Sequence, residues 1–202
     1  PIARTVHAEQ FAVAQAFAWG ESHLVSLVAT AAPCGHCRQF LNEMHGSEDL
    51  QVHFHGDDGW INTTLADLLP FSFGPQALGV TNRFFSPQLH PNQKALDDLL
   101  DHHRDDPLVL AALTAAGRSY SPYTGSQSGV ALQTPGAIYS GSYIENVAFN
   151  PGLPPLEAAV VNAVADGAEM DRETALPAGL EAVVLVEPEG VQVGFAEQIR
   201  AG

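Results

Sequence analysis

Apolar positions fall on a helical spacing over residues 7–19, with Ala8, Phe11, Ala12, Ala16 and Trp19 on one side and Gly20 as the stop. Residues 24–30 form a short, mostly apolar run without breakers, the pattern of a strand buried on both faces. Pro33 turns the chain, and residues 34–44 predict a second helix. Another strand is predicted over 50–55, closed by Asp57-Asp58-Gly59, and residues 61–69 predict a short helix stopped by Pro70. Helix and strand in alternation predict a sheet with parallel members and helices packed on it.

Periodicity fades from residue 71 to about 93, a stretch rich in Pro, Asn and Gly that reads as a connection. It resumes as helices over 94–101 and 108–116. Strands over 128–134 and 137–142 flank Pro135-Gly136 as a hairpin, before a helix over 154–166 with proline at its start and a buried strand over 180–186. The domain boundaries this implies are residues 1–76, a connection over 77–102, and a second domain over 103–202. The second half resembles a faded copy of the first. Laying residues 153–161 over 5–13 keeps most apolar positions, puts Pro155 where His7 stands and matches Glu157 to Glu9. In the second half a hairpin precedes the helix, whereas the first helix starts almost at residue 1. A repeat would place a hairpin before Pro1, and the chain reads as clipped at both ends.

Composition narrows the classes of function. The 202 residues allow one large domain or two small ones, and 46% apolar content predicts a globular chain. No run approaches the roughly 20 apolar residues of a membrane span. The formal net charge is −15, and Lys94 is the only lysine. No basic stripe is available for a polyanion, so nucleic acid is excluded as a partner and a small substrate is expected. The only cysteines, Cys34 and Cys37, stand at metal-ligand spacing, which suits a reducing cytoplasm better than a disulfide scaffold.

His7-Ala8-Glu9 and Pro33-Cys34-Gly35-His36-Cys37 together spell the H-x-E … P-C-x-x-C pattern of zinc-dependent deaminases. One imidazole and two thiolates give zinc three protein ligands and leave a tetrahedral position open to water. Zinc lowers the pKa of such a water to about 7. Glu9, beside the ligand His7, can shuttle protons. Both ligand stretches fall at predicted helix N-termini, where the positive dipole end favours anions. The rival reading is a closed structural site in which His36, His53 or His55 joins His7 and the two cysteines. A lone Cys-x-x-Cys could also be a redox pair.

His7-Ala8-Glu9 with Pro33-Cys34-Gly35-His36-Cys37-Arg38-Gln39-Phe40 resembles the nucleoside cytidine deaminases. Pro122-Tyr123, Ser128-Gly129-Val130-Ala131-Leu132 and Gly141-Ser142-Tyr143-Ile144-Glu145-Asn146 resemble the non-catalytic repeat of the long, two-domain form found in bacteria and plants. The fold so implied is α/β, a mixed sheet with helices on its faces, present as a catalytic and a degenerate repeat. The resemblance implies one zinc per chain, held by His7, Cys34 and Cys37, with Glu9 as proton shuttle. It further implies that the backbone at Ala8 and the carbonyl of Ala32 lie against the pyrimidine ring. Long-form members pair as homodimers, and Phe73 and the backbone near Ala148 match positions that contact substrate from the partner subunit. Phe73 could equally be an ordinary buried aromatic. The ribose-binding Phe-x-Val-Gly-Ala and Asn-x-Glu segments of the family lie upstream of His-Ala-Glu. Here their nearest counterparts, Gly129-Val130-Ala131 and Tyr143-Ile144-Glu145, fall in the second half, so a separate N-terminal segment is an expected partner. The implied activity is hydrolytic deamination of cytidine or deoxycytidine, a pyrimidine salvage reaction. The alternatives are a deaminase of another small amino-heterocycle and a non-catalytic zinc-stabilised module.

Overall fold

Helix α1 (Ala8–Ala18), strand β1 (Ser26–Ala29), helix α2 (Gly35–Leu41), strands β2 (Gln51–Gly56) and β3 (Gly59–Thr64) and the short helix α3 (Leu65–Leu68) follow one another in the computed structural model. It describes residues 5–86, 93–189 and 194–196. The chain forms two units, Pro1–Pro87 with Glu145–Gly152, and Gln88–Ile144 with Leu153–Gly202.

In the first unit β1 pairs with β2 in parallel and β2 with β3 antiparallel, in the order β1-β2-β3. The parallel member is the one expected from α-β-α-β order. Several sequence expectations change. Residues 61–64 extend β3 rather than starting a helix, because Asp57-Asp58 make a two-residue hairpin loop between the paired Gly56 and Gly59. The following Trp60-Ile61-Asn62-Thr63-Thr64 is rich in aromatic and β-branched residues, which suit a strand. The helix waits until Thr64, whose hydroxyl accepts the Asp67 backbone N–H at 3.1 Å while the Asp67 carboxylate accepts the Thr64 N–H, a reciprocal cap. Nor is β1 buried on both faces. It stands at a sheet edge among the described residues, and Val28 is 65% exposed.

Helix α1 is apolar almost all round, so its spacing could not choose a buried side. Val13, Ala14 and Ala16 face inward with Gln10 and Gln15, while Ala8, Ala12 and Trp19 are exposed. Phe17 stacks on Phe84 at 4.8 Å, and Phe84 on Phe85 at 4.5 Å. Phe40 from α2 completes this aromatic core, so residues read from the sequence as connection close the first unit. α2 ends at Leu41, short of the expected Met44. There the Glu43 carbonyl accepts the Phe84 N–H and Met44 bridges to Phe84, drawing the backbone out of the helix.

The second unit holds α4 (Gln93–His102), α5 (Pro107–Gly117), β4 (Gly129–Gln133), β5 (Ile138–Ser142), α6 (Pro155–Ala165) and β6 (Ala182–Val186). Its sheet is antiparallel in the order β5-β4-β6. Alternation along β4 sorts its side chains: Ala131 packs with Leu108 and Ala112 of α5, while Val130 and Leu132 pack with Ala159 of α6. The sheet is thus a middle layer between two helices. Two glycines permit the close approach. A Cβ on Gly129 would sit 2.3 Å from the Ala116 nitrogen, and one on Gly141 would sit 2.1 Å from the Ala159 nitrogen. β6 is half-buried along its length, less than its all-apolar sequence predicts.

Candidate active site

His7 caps α1 in an extended conformation and Cys34 caps α2 likewise, so the chain delivers both at helix starts, with Cys37 one turn further into α2. The His7 Nδ1 lies 3.4 Å from Cys34 Sγ and 3.3 Å from Cys37 Sγ, and the two sulfurs are 3.7 Å apart. A tetrahedral zinc with ordinary Zn–S and Zn–N bonds requires S···S of about 3.8 Å and S···N of about 3.6 Å. The donor triangle therefore fits zinc. Among the described residues it is the one group of three or more His, Cys, Asp or Glu side chains whose ligand atoms converge in this way. Cys37 is buried, whereas His7 and Cys34 are exposed, leaving one side of the triangle open.

Burial pushes the Cys37 thiol well above its ordinary range. The hydrogen bond with Cys34 adds to this, as do the charge and hydrogen bond of Glu9. Two thiolates beside a carboxylate need a positive charge between them, which a divalent ion supplies. Glu9 stands in the first turn of α1, two residues after His7, and its carboxylate interacts with the Cys37 thiol without joining the donor triangle. For the rival closed site, no fourth protein ligand joins the three donors among the described residues. His36 stacks 5.4 Å from His7 with its pKa lowered by burial and then by His7. His53 Nδ1 lies 2.6 Å from Asn62 Oδ1, and His55 stacks on Trp60; none of the three joins the triangle.

The remaining expected residues are distributed around these helices. Ala8 opens α1 and is exposed, as is Ala32 ahead of Pro33. Phe73 is 50% exposed rather than buried, and its carbonyl accepts from Gln39 Nε2 at 2.9 Å and Asn42 Nδ2 at 3.3 Å. Ala148 is exposed, and its N–H donates to Asn146 Oδ1 at 3.0 Å. Sequence reasoning gave no role to Arg38. It donates to the Pro33 carbonyl at 2.7 Å and the Leu68 carbonyl at 2.9 Å, fixing the turn that carries Cys34. Its signal was available: Arg38 is the only Lys or Arg between residues 5 and 82.

The family model described as the cytidine and deoxycytidylate deaminase zinc-binding region matches residues 65–200, and a second model of the same description matches residues 2–53. The chain belongs to this deaminase family. Two matches, one over each half, agree with a fold present twice. Cytidine deaminases of Yersinia pestis (strain Pestoides F) and Yersinia pseudotuberculosis serotype O:1b (strain IP 31758) are each 46% identical over 162 residues. The match takes in 80% of this chain and 51% of each relative. The chain thus spans about half the length of the curated relatives it matches. Zinc is the metal of the family, and the donor triangle is chemically suited to it. No helix among the described residues is long and apolar enough to cross a membrane.

Proposed function

We propose that this chain carries the catalytic centre of a zinc-dependent hydrolase that deaminates cytidine or deoxycytidine to the uracil nucleoside and ammonia. The observation that carries the reading is the open His7–Cys34–Cys37 triangle with the Glu9 carboxylate against Cys37. His7, Cys34 and Cys37 hold the ion, which when bound contributes Lewis acidity that makes water ionisable near neutral pH. Glu9 does the proton work. Its carboxylate takes one proton from the water that adds at C4 of the ring and delivers it to N3. It then takes the proton of the new C4 hydroxyl and passes it to the amine, which leaves as ammonia as the C4–N bond breaks and the C4 carbonyl forms. The triangle is open on one side because His7 and Cys34 are exposed, which leaves room for a planar ring. The backbone at Ala8 and the carbonyl of Ala32 bind that ring, and Arg38 keeps the Pro33 turn in place behind it.

The same reading takes the protein to be a cytoplasmic homodimer in which Phe73 and the backbone near Ala148 face the partner's substrate. Their exposure supports this. The reaction is tested by the loss of cytidine's ultraviolet absorbance on incubation with the zinc-loaded protein, with metal analysis on the same sample. Zinc without turnover on cytidine or deoxycytidine would refute the substrate, and a metal-free protein would refute the centre.

A further inference from the structure

The segment Glu145–Gly152 belongs to the first unit although its flanking residues, Ile144 and Leu153, bridge each other in the second. Within the first unit it is tied to the two helices that carry the proposed metal ligands, and to each separately. On the α2 side, Asn146 Nδ2 donates to the carbonyl of Gln39 within the helix at 3.0 Å, and the Val147 N–H donates to the Glu43 side chain, just past the helix end, at 2.6 Å. Glu43 is fully buried, so this bond lies in a low-dielectric setting where losing it is costly. On the α1 side, Gln10 Nε2 donates to the Pro151 carbonyl at 3.1 Å. The same amide reaches the ligand itself, since its Oε1 accepts the backbone N–H of His7 at 3.3 Å. Gln10 is 3% exposed, so both ends of its amide are committed.

We infer that Glu145–Gly152 is a staple that sets the distance between α1 and α2, with Glu43 and Gln10 as positioning residues for the metal triangle. His7 rides on α1 and both sulfurs on α2, so the S···N edges depend on how these helices are held together. The aromatic core of Phe17, Phe40 and Phe84 joins the helices by non-directional packing, which tolerates sliding. Hydrogen bonds to fixed carbonyls and N–H groups do not. The staple therefore supplies registry that the apolar contacts lack. It also gives the buried polar side chains of Gln10, Glu43 and Asn146 hydrogen-bond partners within the first unit.

The inference rests on His7, Cys34 and Cys37 being the ligands, and the test separates the two. Co²⁺ is titrated into the metal-free protein and its thiolate charge-transfer and d–d bands are recorded; zinc affinity is measured by competition with a chromophoric chelator. Glu43→Ala and Asn146→Ala are compared with the parent and with Glu43→Gln, which keeps an acceptor oxygen for the Val147 N–H. Partners that orient metal ligands are typically worth 10–100-fold in affinity. For this more remote device a loss of about tenfold is expected in both alanine variants, with altered cobalt bands and with Glu43→Gln close to the parent. Asn146 sits on neither helix, so a change there must pass through the segment. Should Glu43→Ala fail to fold, Asn146→Ala decides alone. Unchanged zinc affinity and cobalt bands in a folded Asn146→Ala would overturn the staple. Failure of the parent to bind cobalt through thiolates would instead overturn the ligand assignment.

Discussion

Helices α1 and α6 are each 11 residues long, and each follows an extended cap residue, His7 in one and Pro154 in the other. They serve opposite ends. α6 buries Pro155, Ala158, Ala159, Val161 and Ala163 against a sheet trimmed by Gly141 to receive them. α1 buries two glutamines, leaves Trp19 77% exposed, and presents an imidazole at its first turn. The contrast shows how one helix start is turned to packing or to chemistry by the residue placed before it. Proline at the start of α6 fixes the backbone and offers no side-chain donor. Histidine at the start of α1 keeps an extended backbone and adds the nitrogen proposed here as a metal ligand.

The largest expected effect separates the two units by their metal. Cys37→Ala should remove all zinc and all turnover, because two donors cannot hold the ion with comparable affinity. The parent should contain one zinc per chain by metal analysis. Two zinc ions per chain would mean that the second unit is not the bare counterpart it resembles.

Next in size is the contrast between Glu9 and Glu157, the acidic residues in the first turns of the two helices. Glu9→Gln should retain zinc and lose about 10⁴-fold or more in turnover, the upper end for a general acid–base group, because one carboxylate serves several transfers. Glu157→Gln should leave turnover within about twofold. Loss of zinc from Glu9→Gln would make Glu9 a structural residue, and equal damage from both variants would erase the distinction between the helices.

Much of this contrast was legible in the residues themselves. The His7, Cys34 and Cys37 triangle came from residue types and spacing, since metal chemistry demands those donors in few arrangements. The hairpin around Pro135-Gly136 and the helix from Pro155 came from turn chemistry and period. What failed to show was anything decided by tertiary contact. A helix apolar on all sides cannot announce that Val13 and Ala14 face inward and Trp19 outward. Residues 61–64 read as helix because the preference of the following Leu65–Leu68 ran backward into a strand set by the Gly56–Gly59 hairpin. The staple was invisible because its bonds join positions more than 100 apart in sequence through two backbone carbonyls and a backbone N–H, which no side-chain pattern marks. Arg38 was the intermediate case, a lone cation whose isolation hinted at a fixed role without naming its carbonyl partners.

The third test concerns packing. Gly141→Ala should destabilise the second unit by about 1–3 kcal/mol, because its Cβ would fall 2.1 Å from the backbone of α6 and the helix must move to admit it. Gly136→Ala, in the hairpin turn with open space around it, should be close to neutral. Denaturant unfolding followed by far-ultraviolet circular dichroism would compare them. Equal stability of the two variants would mean that the helix–sheet approach in the second unit is looser than in the structure described.

The smallest effect tests whether the two units lose stability to acid independently. Each contains an exposed aspartate serving as a local cap. In the first unit the Thr64 hydroxyl, ahead of its backbone N–H, holds the Asp67 carboxyl below the usual range. In the second the backbone N–H of Thr174 does so for Asp171, with the Thr174 hydroxyl and the Glu173 N–H behind it. Both folded pKa values lie below the unfolded one, so each carboxylate contributes stability above about pH 3.9 that is lost as pH falls through its folded value. Asparagine at either position should flatten that acid dependence by a small amount, because exposed groups are screened by solvent. The two tryptophans, Trp19 and Trp60, both lie in the first unit, so fluorescence reports that unit while circular dichroism reports both. Asp67→Asn should therefore alter the acid dependence of the fluorescence transition. Asp171→Asn should alter only the circular dichroism transition. If Asp171→Asn shifts the fluorescence equally, the two units unfold as one, and the contrast between them ends at chemistry rather than extending to stability.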